Sequence, residues 1–197
     1  MNVLVIPEDF RKDQYILKPL VQAMMTALGK PRANVRVCQD PLLGGISQAL
    51  DWENIADILD RYQGMVQVFL LMVDRDGEAG RRVSLDDLER RAAGYAGLSA
   101  GAILMGEHAW QEVEVWALAA CEDLPTDWRW RDIRAERDMK ERYFDPYVTR
   151  VGLADQPGQG RLPLGNMIAA SYPRVRSLCK EDVEALETRL HTHFERR

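Results

Sequence analysis

The amino-acid sequence predicts an α/β fold: a parallel-sheet core with helices on both faces and a mainly helical C-terminal extension. Two observations carry this. Short, nearly continuous apolar runs at Val3–Ile6 and Met65–Val73 read as strands covered on both faces, where parallel sheets place their central strands. Stretches with helical periodicity alternate with such runs, and right-handed crossovers fold a strand–helix–strand–helix order into one parallel sheet.

Asn2–Ile6 is a short buried strand that stops at Pro7, whose missing amide interrupts a ladder, so Glu8 and Asp9 hang at its carboxyl end. From Asp13 to Leu28 the residues Ile16, Leu17, Leu20, Val21, Met24 and Met25 recur at helical spacing, and Gly29 closes the run. Asn34–Cys38 alternates polar and apolar as an edge strand does. Two helical pieces follow between Ile46 and Tyr62, with Asp51 placed to cap the second. Met65–Val73 is the central strand and delivers Asp74-Arg75-Asp76-Gly77 to its tip. Gly77 to Arg82 reads as a polar loop, and Ser84-Leu85-Asp86-Asp87 as the capping pattern of a helix running to Ala93. Ala102–Gly106 is a fourth strand. Glu112–Ala119 suits strand or helix, and helix is favoured. Beyond Asp127 the character changes to dense charge and aromatics. A glycine- and proline-marked loop spans Leu153 to Pro163, and helices over Leu164–Tyr172 and Glu181–His193 finish the chain. The division is a sheet domain over 1–125 and a helical, aromatic and charged extension over 126–197 packed on it.

With 197 residues, 46% hydrophobic and 29% charged, the chain has room for one sizeable core. A net charge of −5 repels nucleic acid and anionic membranes at long range, so a polyanion would need a local basic patch or a metal. Cys38, Cys121 and Cys179 are widely spaced and form no Cys-X-X-Cys pair, which speaks against a disulfide framework or structural zinc. The start is too short and too acidic for a signal peptide, and no run has the length of a membrane span; a cytoplasmic location without membrane partners is expected.

Ligands of open α/β sheets bind at the carboxyl ends of strands. In extended chain, residues i and i+2 point the same way, so Asp74 and Asp76 can face one hard cation. Glu8 ends a neighbouring strand. Converging carboxylates repel one another unless a divalent ion neutralises them, so a metal accounts for the cluster better than stability does.

The pairing of Val3-Leu4-Val5-Ile6-Pro7-Glu8 with Leu70-Leu71-Met72-Val73-Asp74-Arg75-Asp76-Gly77 resembles the TOPRIM domain of topoisomerases, primases and recombination nucleases. It looks most similar to the small stand-alone and overcoming-lysogenization-defect-type members that accompany ATPases in phage defence. The resemblance covers roughly residues 1 to 120. It implies a TOPRIM-like fold and Mg²⁺ (or Mn²⁺), with Glu8 as ligand or general acid/base and Asp74 and Asp76 as ligands. Asp13 and Glu114 match the further acids of that group. The implied activity is a metal-dependent endonuclease acting on nucleic acid, DNA before RNA, and the implied setting allows a partner ATPase or defence-complex subunit. The family usually has glycine after its glutamate, where this chain has Asp9; that departure keeps open a non-catalytic binding or scaffold subunit.

A phosphoacceptor receiver domain shares the architecture, but Met105-Gly106-Glu107-His108 lacks the Ser or Thr such domains carry after strand four. Arg81, Lys140 and Arg161 are the candidates to contact substrate phosphate. His108 reads more readily as structural, and Trp116, Trp128 and Trp130 as core or interface anchors.

Overall fold

The computed structural model describes residues 1–196. Its centre is a four-stranded, all-parallel sheet in the order β2-β1-β3-β4, built from β1 (Asn2–Pro7), β2 (Asn34–Val37), β3 (Val68–Asp74) and β4 (Ile103–Ala109). Register pairs Val5 with Leu70 and Leu70 with Met105, so the tips of β1, β3 and β4 lie side by side. The strands alternate between two cores. Val3, Val5, Leu70 and Met72 face one, with α1 (Phe10–Ala27) and α5 (Glu114–Ala119); Leu4, Ile6, Leu71 and Val73 face the other, with α2 (Ile46–Ala49), α3 (Trp52–Arg61) and α4 (Arg81–Ala93). Helices on both faces of a parallel sheet are thus the observed architecture.

The C-terminal segment adds α6 (Trp130–Ala135), a π-helical turn (Lys140–Phe144) running into α7 (Asp145–Arg150), α8 (Arg161–Leu178) and a second π-turn (Lys180–Glu184) running into α9 (Ala185–Glu195). Ile133, Phe144, Leu164, Ile168, Val183 and Leu190 from this segment join the same cluster as Val3, Leu20 and Trp116. Helix α8 lies on α1 through Gly165, where a Cβ would sit 1.9 Å from the Tyr15 carbonyl oxygen. Pro19, four residues on from Tyr15, has no N–H to offer that oxygen. The proline therefore leaves the carbonyl open, and the glycine lets a second helix close over it.

Several boundaries differ from those the sequence suggests. Helix α1 starts at Phe10 rather than Asp13, because the Asp9 carboxylate accepts the Arg11 N–H at 2.9 Å and caps it. Helix α4 starts at Arg81, one turn before the Ser84 pattern; its cap position is Gly80, and the Ser84 hydroxyl donates back to the Gly80 carbonyl. The expected loop over Gly77–Arg82 is correspondingly shorter. Strand β4 runs past Gly106 to Ala109, and the glycine is a packing requirement, since a Cβ there would meet Leu85 at 2.9 Å. Helix α8 exceeds the expected Leu164–Tyr172 at both ends, with a break at Ser171 just before Pro173. Glu114–Ala119 is helical, as favoured.

Candidate functional site

Glu8 directly follows β1, and Asp74 is the last residue of the adjacent β3. The Asp74 N–H donates to Glu8 Oε2 at 3.3 Å, which ties the two strand tips together. Asp13 enters from the first turn of α1, where its Oδ2 accepts the Asp9 N–H at 3.1 Å. Glu114 opens α5, beyond β4. Glu8 and Glu114 act on the other two acids. Burial and then Glu114 push the Asp13 carboxyl up to about 8, with Glu8 adding to it. Burial, followed by Glu114, Glu8 and Asp13, pushes Asp74 well above the usual carboxylate range. Glu8 is raised too, by burial first, with Asp76 and Asp9 contributing and Arg81 opposing.

Asp76 lies next to Glu8, half exposed at the turn that follows β3. It has φ 54, an uncommon left-handed conformation that aspartate tolerates better than most residues, and it is followed by Gly77 at φ 74. Its nearest cation is Arg81, with Nη2 3.8 Å from Oδ2. The turn is held by Gln111, which sequence reading passed over. The Gln111 carbonyl accepts the Arg75 N–H at 2.8 Å, and its side-chain Oε1 accepts the Gly77 N–H at 2.8 Å. Gln111 itself stands at φ 93, backbone strain sustained because both of its oxygens are engaged. Beside it the Val113 N–H donates to Asp74 Oδ1 at 2.8 Å. The β4–α5 connection is therefore a clamp on the tip of β3. Only its positive φ and long-range bonds reveal that, and neither leaves a mark in local sequence.

The three phosphate candidates fare differently. Arg161, 1% exposed, is engaged by Glu114, 4% exposed; its Nε donates to Glu114 Oε1 at 2.9 Å and its Nη2 to the same oxygen, while Nη1 reaches the Gly158 carbonyl. Lys140 pairs with its neighbour Glu141 at 3.2 Å, and its backbone N–H donates to Glu112. Arg81 stays beside Asp76 and Glu8. Asp9 takes φ −128, a backbone any residue adopts, so this position makes no demand for glycine.

Of two nearby grooves, the first is lined by Glu8 and the second by none of these acids. One of about 590 Å³ opens between Glu8, Phe10, Arg11 and the Leu42–Gly45 loop. The other, about 660 Å³, runs along the β4 edge between α4 and α9 and is lined by Arg75, Arg82, Glu107, His108, Trp110 and Arg189. The Arg75 guanidinium lies over the Trp110 ring at 4.0 Å. His108 is buried, and burial pushes its imidazole below the usual value. Trp116 is wholly buried with its indole N–H on Asp182, an anchor rather than a platform.

Among the described residues no three His, Cys, Asp or Glu side chains already surround a common point as metal ligands. The fit to a hard divalent ion lies in the donor chemistry, since every acid of the group is a carboxylate and their mutual repulsion is what a cation removes. No helix among the described residues is long and apolar enough to cross a membrane. No family model, no curated protein and no solved structure matches the chain.

Proposed function

We propose that the chain is a TOPRIM-like, Mg²⁺- or Mn²⁺-dependent nuclease that cleaves phosphodiesters in nucleic acid, DNA before RNA, in the cytoplasm. Its setting in this reading is prokaryotic phage defence alongside a partner ATPase or defence-complex subunit. The observation that carries it is the gathering of Glu8, Asp13, Asp74 and Glu114 beside the tips of neighbouring parallel strands, with the Asp74 N–H on Glu8 at 3.3 Å and with Glu8 and Glu114 both raising the carboxyls of Asp13 and Asp74. Glu8, Asp74 and Asp76 would be the ligands, with Asp13 and Glu114 completing the set. A bound divalent ion supplies an acidified water and neutralises charge on the phosphodiester.

The chain's own residues do the rest. Glu8 Oε1, the oxygen not engaged by the Asp74 N–H, is the general base. Asp13 Oδ2 accepts the Asp9 N–H, which orients the carboxylate and leaves Oδ1 for the ion. Gln111 and Val113 fix the Asp74 loop. The groove lined by Glu8 suits one arm of a strand laid across the sheet's carboxyl end. The test compares cleavage of DNA and RNA by wild type and Asp74→Ala/Asp76→Ala with Mg²⁺ or Mn²⁺. Loss in the variant is expected, and equal activity overturns the assignment.

A second reading, a non-catalytic binding or scaffold subunit, is favoured by the Arg161–Glu114 pair, which neutralises one acid from within. Calorimetry with Mg²⁺ separates the two. Binding that disappears in Glu8→Ala contradicts a purely structural cluster.

A further inference from the structure

The larger groove, about 660 Å³ along the β4 edge, is walled by charges that mostly answer one another. Arg82 meets Asp86 and Glu89, each at 2.8 Å, Arg189 also ends on Glu89, and the buried Glu107 sits between the two guanidiniums at 3.4 and 3.5 Å. Glu181 meets Arg134 at 2.9 Å. One charge of the lining is left over. The Arg75 guanidinium makes no hydrogen bond or ion pair among the described residues; it lies over the Trp110 ring at 4.0 Å and has its other side on the groove. The Trp110 indole N–H and His108 Nε2 also lack a partner among the described residues, and neither atom is sealed off, so both are open to the groove that these residues line.

These unclaimed groups describe the ligand. The walls carry three arginines against four carboxylates, so the groove has no surplus of positive charge with which to collect a free phosphate. What it offers is a guanidinium backed by an indole, with a ring N–H and an imidazole nitrogen at the margin. That set recognises an uncharged planar heterocycle, which stacks on Arg and Trp and is hydrogen-bonded along its edge. The platform is fixed before a ligand arrives. The Trp110 N–H donates at 3.1 Å to Asp182 Oδ2, on the π-helical turn whose Glu181 lines the groove, and the Arg75 N–H donates to the Gln111 carbonyl at 2.8 Å. Groups held in place in advance lose less entropy on binding. Arg75 stands between Asp74 and Asp76 in the chain, so the groove opens one residue away from the acids.

We propose that the Arg75–Trp110 pair is a stacking platform for one unpaired nucleobase of a strand whose phosphate lies at the acids. The proposal rests on the nuclease reading and names its substrate class, single-stranded nucleic acid, because a base inside a duplex is already stacked and paired. Arg75 touches the base, Trp110 backs it, and the indole N–H and His108 Nε2 meet its edge.

The test uses the full chain as wild type, Arg75→Gln, Trp110→Phe and Trp110→Ala. It reads adenosine binding by NMR titration without metal, competition by inorganic phosphate, melting temperature, and cleavage of single-stranded and duplex DNA with Mg²⁺. The Arg75 side chain makes no hydrogen bond or ion pair among the described residues, so Arg75→Gln is expected to melt as wild type does. Its adenosine binding is expected to weaken about tenfold, the scale of one lost stacking contact, and its KM for single strands to rise by a similar factor. Trp110→Phe keeps a ring behind the guanidinium and retains most of the binding, whereas Trp110→Ala loses as much as Arg75→Gln. Phosphate is expected not to displace adenosine, and single strands to be cut in preference to duplex. A wild type that binds no adenosine, or an Arg75→Gln that binds it equally well, overturns the proposal. So does displacement by phosphate, or duplex cut as readily as single strand. Cleavage of single strands without adenosine binding overturns the platform and leaves the nuclease reading standing. Adenosine binding that depends on Arg75 in a wild type that cleaves nothing supports the platform and overturns the nuclease reading.

Discussion

Replacing Arg161 by methionine isolates the contact that joins the C-terminal helices to the acidic site. Arg161 and Glu114 are 1% and 4% exposed, and the guanidinium meets one carboxylate oxygen through two nitrogens. The variant leaves a carboxylate buried among Asp13 and Asp74, with no cation to answer it. Breaking one partner of a buried pair costs about 3–5 kcal/mol, whereas replacing both by apolar groups is often close to neutral. The Gly158 carbonyl also loses its 2.8 Å donor, which adds roughly 1 kcal/mol. Arg161→Met is therefore expected to lose about 4 kcal/mol in urea unfolding followed by circular dichroism. Arg161→Met/Glu114→Leu should regain most of that, leaving a coupling of about 3 kcal/mol, well above the additivity error of separate sites. A single variant within about 1 kcal/mol of wild type would refute the reasoning, as would a double variant no better than the single.

Three other outcomes follow from the same coordinates. The Asp13 carboxyl is raised from 3.8 to about 8, so the folded chain holds this proton more tightly than the unfolded chain. Its contribution is complete below pH 4 and is lost as pH rises towards 8. Asp13→Asn should flatten that slope in pH-dependent melting and raise the melting temperature of the metal-free protein at pH 8, with Mg²⁺ opposing the slope in wild type. Gly165→Ala places a Cβ 1.9 Å from the Tyr15 carbonyl oxygen and should cost about 2–3 kcal/mol by forcing α8 off α1, read as a lowered urea midpoint. Gln111→Gly relieves φ 93 but removes the acceptor for Gly77; global stability should stay within about 1 kcal/mol while Gly77 amide exchange speeds about tenfold.

What was readable from sequence divides along a physical line. Strand β3 was plain because a strand buried on both faces must be apolar at every position, and Val68 to Val73 are all buried. Its tip acids followed from sheet topology. Asp9 reads differently once the helix is seen, for it is a cap whose carboxylate meets the Arg11 N–H. The start of α4 was misplaced because Ser84-Leu85-Asp86-Asp87 imitates a capping pattern, while the actual cap, Gly80, offers no side-chain signal. Three features left no local trace at all. The Arg161–Glu114 pair spans 47 positions. Gln111 acts mainly through its backbone, and the burial of the Arg81 guanidinium is a fact of packing.

These features also bear on whether the extension beyond residue 125 is separable from the sheet. Trp116, Val115 and Leu118 of α5 are wholly buried, and they share one cluster with Ile133, Phe144, Leu164 and Ile168. Asp182, from the last third of the chain, accepts the Trp110 N–H, the Trp116 indole N–H and Arg134, so it pins the end of β4 to the start of α5. The clamp on Asp74 lies between those two points, at Gln111 and Val113. A sheet domain alone would keep Glu8 and Asp74 on adjacent strands. It would lose the counter-charge on Glu114, the anchor of the clamp and the cover over Trp116. The acids are a property of the sheet; their arrangement into a site is a property of the whole chain.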